Sequence, residues 1–354
     1  MDVENLVRRS IAGLEPQVYP STQRGALLLD ANTNLVGRNP APERVAKRLG
    51  SLDLTQYPSS LSDELRAGLA KEHGLSPGEI LVGNGSDEVL DVICKAFCNP
   101  GDLIGIPTPA FVMYAFFAKV HLGSAVEIPL KTPLWQLDVE ALLRVRPKIA
   151  FIASPNNPTG NAFPKADLDR VLAESPGLVV VDEAYADFCG QDFASQVRRY
   201  DNLIVTRTFS KSHGLAGLRV GYAVSNRKVV QKLECAKTPL SLGALSEAIA
   251  LEALADKTFM RESVRVVRAE RVRLAEQLRE LGFRPQASDA NFMIVDLGVP
   301  SEPARRYLAE RGVVTRAMGD FKGLERYLRV TVGRPEHSDR LVSELKNWKA
   351  SCSR

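Results

Sequence analysis

Between about residues 60 and 240 the apolar positions switch period again and again. Leu61, Leu65 and Leu69 recur every four residues, a helical spacing, and Gly74 ends that helix. Ile80-Leu81-Val82 is a short apolar run closing on Gly83-Asn84-Gly85, after which Val89, Ile93 and Phe97 resume the helical period up to Asn99-Pro100-Gly101. Leu103 to Ile106 reads as a strand stopped by Pro107, and further strands are predicted at Ile149 to Ala153, Leu178 to Val181 and Leu203 to Thr208. Runs apolar on both faces suit strands covered by helices on both sides. Their alternation with helices predicts an α/β fold with a mostly parallel central sheet. Ligands of such sheets collect at the carboxyl ends of the strands, so the turns at Gly83, Pro155, Asp182 and Ser210 should share one rim.

Past residue 240 the pattern changes. A charged helix from Thr258 to Leu281 ends at Gly282, followed by a strand at Asn291 to Leu297, a helix at Ser301 to Arg311, a strand at Tyr327 to Val332 and a helix from about Ser338. This reads as a smaller α+β unit. The expected organisation is an N-terminal arm over 1–50, rich in turn residues and contributing to the small unit, a large domain over 51–240 and a small domain over 241–354.

A chain of 354 residues fits about two domains. With 45% hydrophobic and 25% charged residues it has the make-up of a folded protein that needs no disulfide or metal to build a core. The formal net charge of +4 is too small and too spread to suggest nucleic acid. No apolar run approaches a membrane span, the first fourteen residues lack the apolar core of a signal peptide, and five scattered cysteines suit a reducing compartment, here read as cytoplasmic. Cys94 and Cys98 share a helical face without CxxC spacing or a nearby histidine, and read as core residues; no metal site is expected.

Four strand-end segments carry chemistry. Thr208-Phe209-Ser210-Lys211-Ser212-His213-Gly214 leads to Arg219, and sets a lysine among hydroxyls, small residues and a cation. Thr208, Ser210 and Arg219 form a plausible phosphate site, and a lysine so placed can form a Schiff base. Asp182-Glu183-Ala184-Tyr185 puts a carboxylate and a phenol at the end of a buried strand, and Asn157, in Ser154-Pro155-Asn156-Asn157-Pro158-Thr159-Gly160, offers an amide. Gly83-Asn84-Gly85-Ser86-Asp87-Glu88 opens a helix whose first N–H groups suit an anion.

In this order the segments NNPTG (156–160), DEAY (182–185), TFSKSHGLAGLRVGY (208–222) and RVTVG (329–333) resemble the fold-type-I pyridoxal-5′-phosphate enzymes of aminotransferase class I and II, most nearly the histidinol-phosphate aminotransferases, over about residues 10–345. The resemblance implies pyridoxal 5′-phosphate held covalently by Lys211, Asp182 at the pyridine nitrogen, and Tyr185 and Asn157 at the phenolic oxygen. Thr208, Ser210, Arg219 and the N–H groups of Ser86 and Asp87 would hold the phosphate, and Phe111 would stack on the ring. Tyr57 would reach the phosphate of a neighbouring subunit, which makes the expected assembly a homodimer with shared active sites. Arg316 and Arg329 would grip the substrate phosphate and the carboxylate of glutamate or 2-oxoglutarate, with Asn32 and Tyr19 on the amino-donor side. The implied reaction is transamination between histidinol phosphate and 2-oxoglutarate through pyridoxamine phosphate.

Three positions depart from the family pattern: Gln17 stands where a tyrosine is usual, Thr33 replaces the glutamate of an NENP-like loop, and His213 follows the lysine segment where the family commonly has another residue. Two relatives of the same fold, an aromatic amino-acid aminotransferase and a threonine-phosphate decarboxylase, are therefore the alternative expectations. A third, a regulator with an aminotransferase-like domain behind a DNA-binding module, is disfavoured by a likeness that starts near residue 10 and by the lack of a basic stripe.

Overall fold

The computed structural model describes residues 3–8, 10–16 and 25–352. Its strands, in chain order, are β1 (Leu27–Leu28), β2 (Ile80–Gly83), β3 (Leu103–Thr108), β4 (Ser124–Pro129), β5 (Ile149–Ala153), β6 (Leu178–Asp182), β7 (Leu203–Thr208), β8 (Gly221–Ser225), β9 (Arg284–Pro285), β10 (Phe292–Asp296), β11 (Val313–Val314), β12 (Arg316–Ala317) and β13 (Tyr327–Thr331). Seven of them form the main sheet in the order β2-β8-β7-β6-β5-β3-β4. Within it β4, β3, β5, β6 and β7 run parallel, and only β8 is antiparallel to its neighbours β7 and β2.

Side chains alternate along these strands, so each strand feeds two cores. Val179, Val181, Val205 and Val224 enter one apolar cluster with helices on that face, while Val180, Ile204, Phe151 and Ala223 enter the other with the helix Gly85–Phe97. Cys94 is fully buried in the second cluster, where desolvation raises its thiol pKa, as befits a core residue. A third cluster belongs to the small unit, where the sheet β12-β13-β10-β9 packs against the helices Thr258–Glu280, Glu302–Glu310 and Pro335–Cys352.

The N-terminal segment is woven into the small unit. β1 pairs in parallel with β11, the Leu29 carbonyl accepts from the Thr331 N–H at 2.9 Å, and Arg334 donates to the Val36 carbonyl. The helix Ala244–Ala255, although past residue 240, packs Ile249, Ala250 and Ala253 into a core of the main sheet.

Pro107 does not stop its strand. β3 runs on to Thr108, because β5 pairs with it only at Ile104 and Gly105, so Pro107 faces a ladder partner on the β4 side alone. No described helix is long and apolar enough to cross a membrane. Among the described residues no group of three or more His, Cys, Asp or Glu side chains is placed to hold a metal ion.

Candidate functional site

The register of the main sheet explains why distant segments meet. Gly83 pairs with Gly221, and Gly221 pairs with Thr208. Because β8 is antiparallel, its starting end shares the rim where β2 and β7 finish. The start of the helix Gly85–Phe97, the Thr208–Ser210 turn and Arg219 therefore surround one spot. Two glycines make this closeness possible: a Cβ on Gly221 would lie 2.2 Å from the Ser86 nitrogen, and one on Gly85, whose φ is +83°, would lie 2.7 Å from Arg219 Nη2. Thr208 Oγ1 donates to Ser210 Oγ at 2.9 Å and accepts from the Ser210 N–H at 3.1 Å, while Arg219 Nη2 donates to Asp87 Oδ2 at 2.9 Å. Clustered hydroxyls, a guanidinium and a helix start form a cradle for a phosphate dianion.

Next to the cradle, Asp182 ends β6. Its Oδ2 accepts from the Tyr114 hydroxyl at 2.7 Å and its Oδ1 from the Ala184 N–H at 3.1 Å. No cation is bonded to it among the described residues, and burial pushes its carboxyl pKa up despite those two donors. A buried carboxylate with no counter-charge is a place for a cationic ligand atom. Tyr114 is itself stacked on Phe151 at a centroid distance of 5.1 Å, and Phe111, in the loop that follows β3, packs T-shaped against it at 5.6 Å.

Lys211 is half-buried at the rim. Its Nζ donates to the Ala31 carbonyl at 3.2 Å and lies 5.5 Å from the centroid of the Tyr185 ring. Tyr185, 5% exposed, is wedged edge-on against Phe292, and its hydroxyl oxygen accepts from Asn32 Nδ2 at 3.1 Å. Asn157 Oδ1 accepts from Arg329 Nη1 at 2.7 Å.

Arg329 and Arg316 are direct cross-strand partners in β13 and β12. Like charges placed opposite one another are unfavourable unless an anion lies between or near them. Arg316 is exposed and paired with Asp320, whereas among the described residues Arg329 has no bonded carboxylate: it donates to Asn157 and to the Asp30 carbonyl, and its Nε is buried without a partner. Burial lowers the Arg329 pKa. Such a group is poised to receive a carboxylate or phosphate from solution.

The structure thus brings together Lys211, Asp182, Tyr185, Asn157, Phe111, Thr208, Ser210, Arg219, Ser86, Asp87, Asn32, Arg316 and Arg329. Tyr57 stands apart, 86% exposed on a loop. Tyr19 and Gln17 lie outside the described residues. His213 packs behind the lysine turn against Phe209 at 4.7 Å, with Ser212 Oγ 3.1 Å from its Nδ1, and burial lowers its pKa.

Sequence reading missed Tyr114, which no motif carries, and Asn34. The Asn34 Oδ1 accepts from the Val36 N–H at 2.9 Å, which turns its Nδ2 toward the carbonyls of Lys211 at 3.2 Å and Ser212 at 3.0 Å and toward Ser263 Oγ at 3.0 Å. An Asx turn was the signal available for Asn34; its long-range partners had none.

The cradle and the uncompensated Asp182 fit the two ends of pyridoxal phosphate, an anionic phosphate and a protonated ring nitrogen. Comparisons with known proteins point the same way. The family pattern "Aminotransferase class I and II" matches residues 24–345. Histidinol-phosphate aminotransferase of Thermoanaerobacter pseudethanolicus is 37% identical over 97% of this chain and 99% of its own. The chloroplastic histidinol-phosphate aminotransferase of Nicotiana tabacum is 39% identical over 90% of this chain and 78% of its own. Among solved structures, the Sinorhizobium meliloti histidinol-phosphate aminotransferase in complex with pyridoxal-5′-phosphate superposes with a TM-score of 0.84 at 26% identity, covering 92% of this chain and 91% of that one. The L-threonine-O-3-phosphate decarboxylase of Porphyromonas gingivalis reaches 0.81 at 23% identity over 92% and 99%, a likeness of fold alone.

Proposed function

Since the chain belongs to the aminotransferase class I and II family, we propose that it is a pyridoxal-phosphate-dependent histidinol-phosphate:2-oxoglutarate aminotransferase, a homodimer whose subunits share active sites through Tyr57. The observation that carries the substrate assignment is the cross-strand pair Arg316 and Arg329, with Arg329 half-buried, its Nε buried and unpartnered, no carboxylate bonded to it among the described residues, and Asn157 held beside it. Both partners of the reaction are anions: one brings a phosphate, the other a second carboxylate. The shared name of the bacterial, archaeal and plant relatives supports the same reading.

Pyridoxal phosphate, when bound, supplies an electron sink for charge developing at the substrate α-carbon. The chain's own residues do the rest. Ser86, Asp87, Thr208, Ser210 and Arg219 would anchor the phosphate. Asp182 keeps a proton on the ring nitrogen by opposing it with a buried carboxylate. Tyr185 and Asn157 donate toward the ring oxygen, and Phe111 covers a face. The Lys211 amine would take the α-proton as base and, as acid, return it to the carbon two atoms away, across the nitrogen. Arg329 and Arg316 fix the substrate anions so that the bond to be broken stays aligned.

Absorbance of the loaded chain tests this. Histidinol phosphate added without an oxo acid should discharge the visible band, and 2-oxoglutarate should restore it with release of glutamate. A band untouched by histidinol phosphate but discharged by phenylalanine or tyrosine would overturn the substrate assignment. Carbon dioxide release without any oxo acid would overturn transamination.

A further inference from the structure

Resting on that reading, we infer that Asn32 is a positioning residue for Tyr185: by donating its side-chain N–H to the phenol oxygen it leaves the hydroxyl's own proton free to point into the site. Asn32 is only 2% exposed and its main chain is held from both sides, the N–H donating to Thr331 Oγ1 at 3.1 Å and the carbonyl accepting from Asn291 Nδ2 at 3.0 Å. It adopts φ +53°, a left-handed conformation that asparagine tolerates better than most residues. The chain therefore accepts a costly backbone shape to bring this one amide to Tyr185.

The hydrogen bond has a direction with chemical consequences. Asn32 Nδ2 lies 3.1 Å from the Tyr185 hydroxyl oxygen, while Asn32 Oδ1 is buried and has no partner among the described residues. A phenol has one proton to give. If an amide oxygen faced it, that proton would be drawn away from the rim; because an amide N–H faces it, the proton stays available. Asn157 is arranged by the same logic, its Oδ1 taken by Arg329 Nη1 at 2.7 Å so that its N–H groups face elsewhere. Both residues expected to donate to the cofactor's ring oxygen thus have an acceptor atom already occupied.

A donor aimed at that oxygen stabilises its anionic form and holds down the pH at which the bound cofactor's visible band titrates. The test is a pH titration of that band in cofactor-loaded wild type, Asn32→Gly and Asn32→Asp, each alone and combined with Tyr185→Phe. Glycine keeps the left-handed backbone without the amide, and aspartate keeps the shape but can only accept.

Diverting the phenol proton to an acceptor should raise the midpoint by about one pH unit in Asn32→Asp, a tenfold change in proton affinity, and by less in Asn32→Gly, which loosens the phenol without offering it an acceptor. In the Tyr185→Phe background neither substitution should add a shift. A midpoint that stays put in both variants, or that moves equally with and without the Tyr185 hydroxyl, would overturn the inference. Should Asn32→Gly fail to fold, Asn32→Asp decides alone. Absence of any visible band in loaded wild type would instead defeat the cofactor reading itself.

Discussion

Asp182, buried, and Arg329, half-buried, carry opposite charges, and among the described residues neither has an ionic partner; on the proposed reading each is completed by a small molecule. Replacing Asp182 by Asn should leave cofactor retained through its phosphate yet slow turnover by roughly a hundredfold or more, measured as kcat, since the proton on the ring nitrogen loses its counter-charge. Arg316 faces solvent and is paired with Asp320, a partner it would give up to bind substrate on the proposed reading. Arg316→Ala should raise KM for the phosphorylated donor by roughly tenfold to a hundredfold, the worth of a charge-assisted hydrogen bond, with cofactor affinity unchanged; equal loss of both would contradict its assignment. Asp182 stood out in the sequence because it closes a continuous apolar run, whereas Arg316 and Arg329 were singled out through the family resemblance. Tyr114 and the Asn32 contact to Tyr185 were not, since their partners lie 68 and 153 positions away along the chain, and no local spacing encodes such a meeting.

At the scale of elements, legibility followed burial. The strands β5, β6 and β7 announce themselves as continuous apolar runs because helices cover both faces. β4, an edge strand exposed at four of its six residues, carries no such run and gives no signal, nor does β8, where glycine, alanine and serine leave Tyr222 and Val224 as the large apolar side chains. Yet β8 is the element that closes the cradle. Gly221→Ala would drive a methyl group to within 2.2 Å of the Ser86 nitrogen. Overpacking of this kind should cost about 1–3 kcal/mol in a denaturant titration and weaken cofactor retention disproportionately, because the helix start must move away from the Thr208 turn.

The entry to β2 offers a prediction in pH. Glu79 caps the turn Pro77–Glu79 through Ser76 and bonds Arg198 at 3.1 and 3.0 Å. The Arg198 hydrogen bonds, more than the cap, lower its carboxyl from 4.5 to about 2. Folding therefore favours the ionised form: the stabilisation is complete above pH 4.5 and drains away as pH falls from 4.5 toward 2. Unfolding midpoints measured across that window should fall less steeply with acid in Glu79→Gln than in wild type.

For the whole molecule the decisive feature is where the small unit meets the rim of the main sheet. The segment from Leu29 to Asn39 supplies carbonyls to Lys211, Arg329 and Thr331 and amides to Tyr185, Lys211 and His213, so the lysine turn and the arginine strand are tied to one stretch of chain. Hydrophobic patterning leads one to expect two units and an N-terminal arm, but patterning of one chain is silent on a second copy. Tyr57, at 86% exposure, is the residue that asks for one. If its hydroxyl completes the phosphate cradle of the neighbouring subunit, Lys211→Ala and Tyr57→Ala chains should each be impaired as homodimers for different reasons. A hybrid dimer, formed by unfolding and refolding the two together, joins the intact lysine of one chain to the intact tyrosine of the other and rebuilds one complete site. Activity of the mixture should then exceed the sum of the separate preparations. If Tyr57 served its own subunit, every hybrid site would carry a defect of one parent, and the mixture would never rise above that sum.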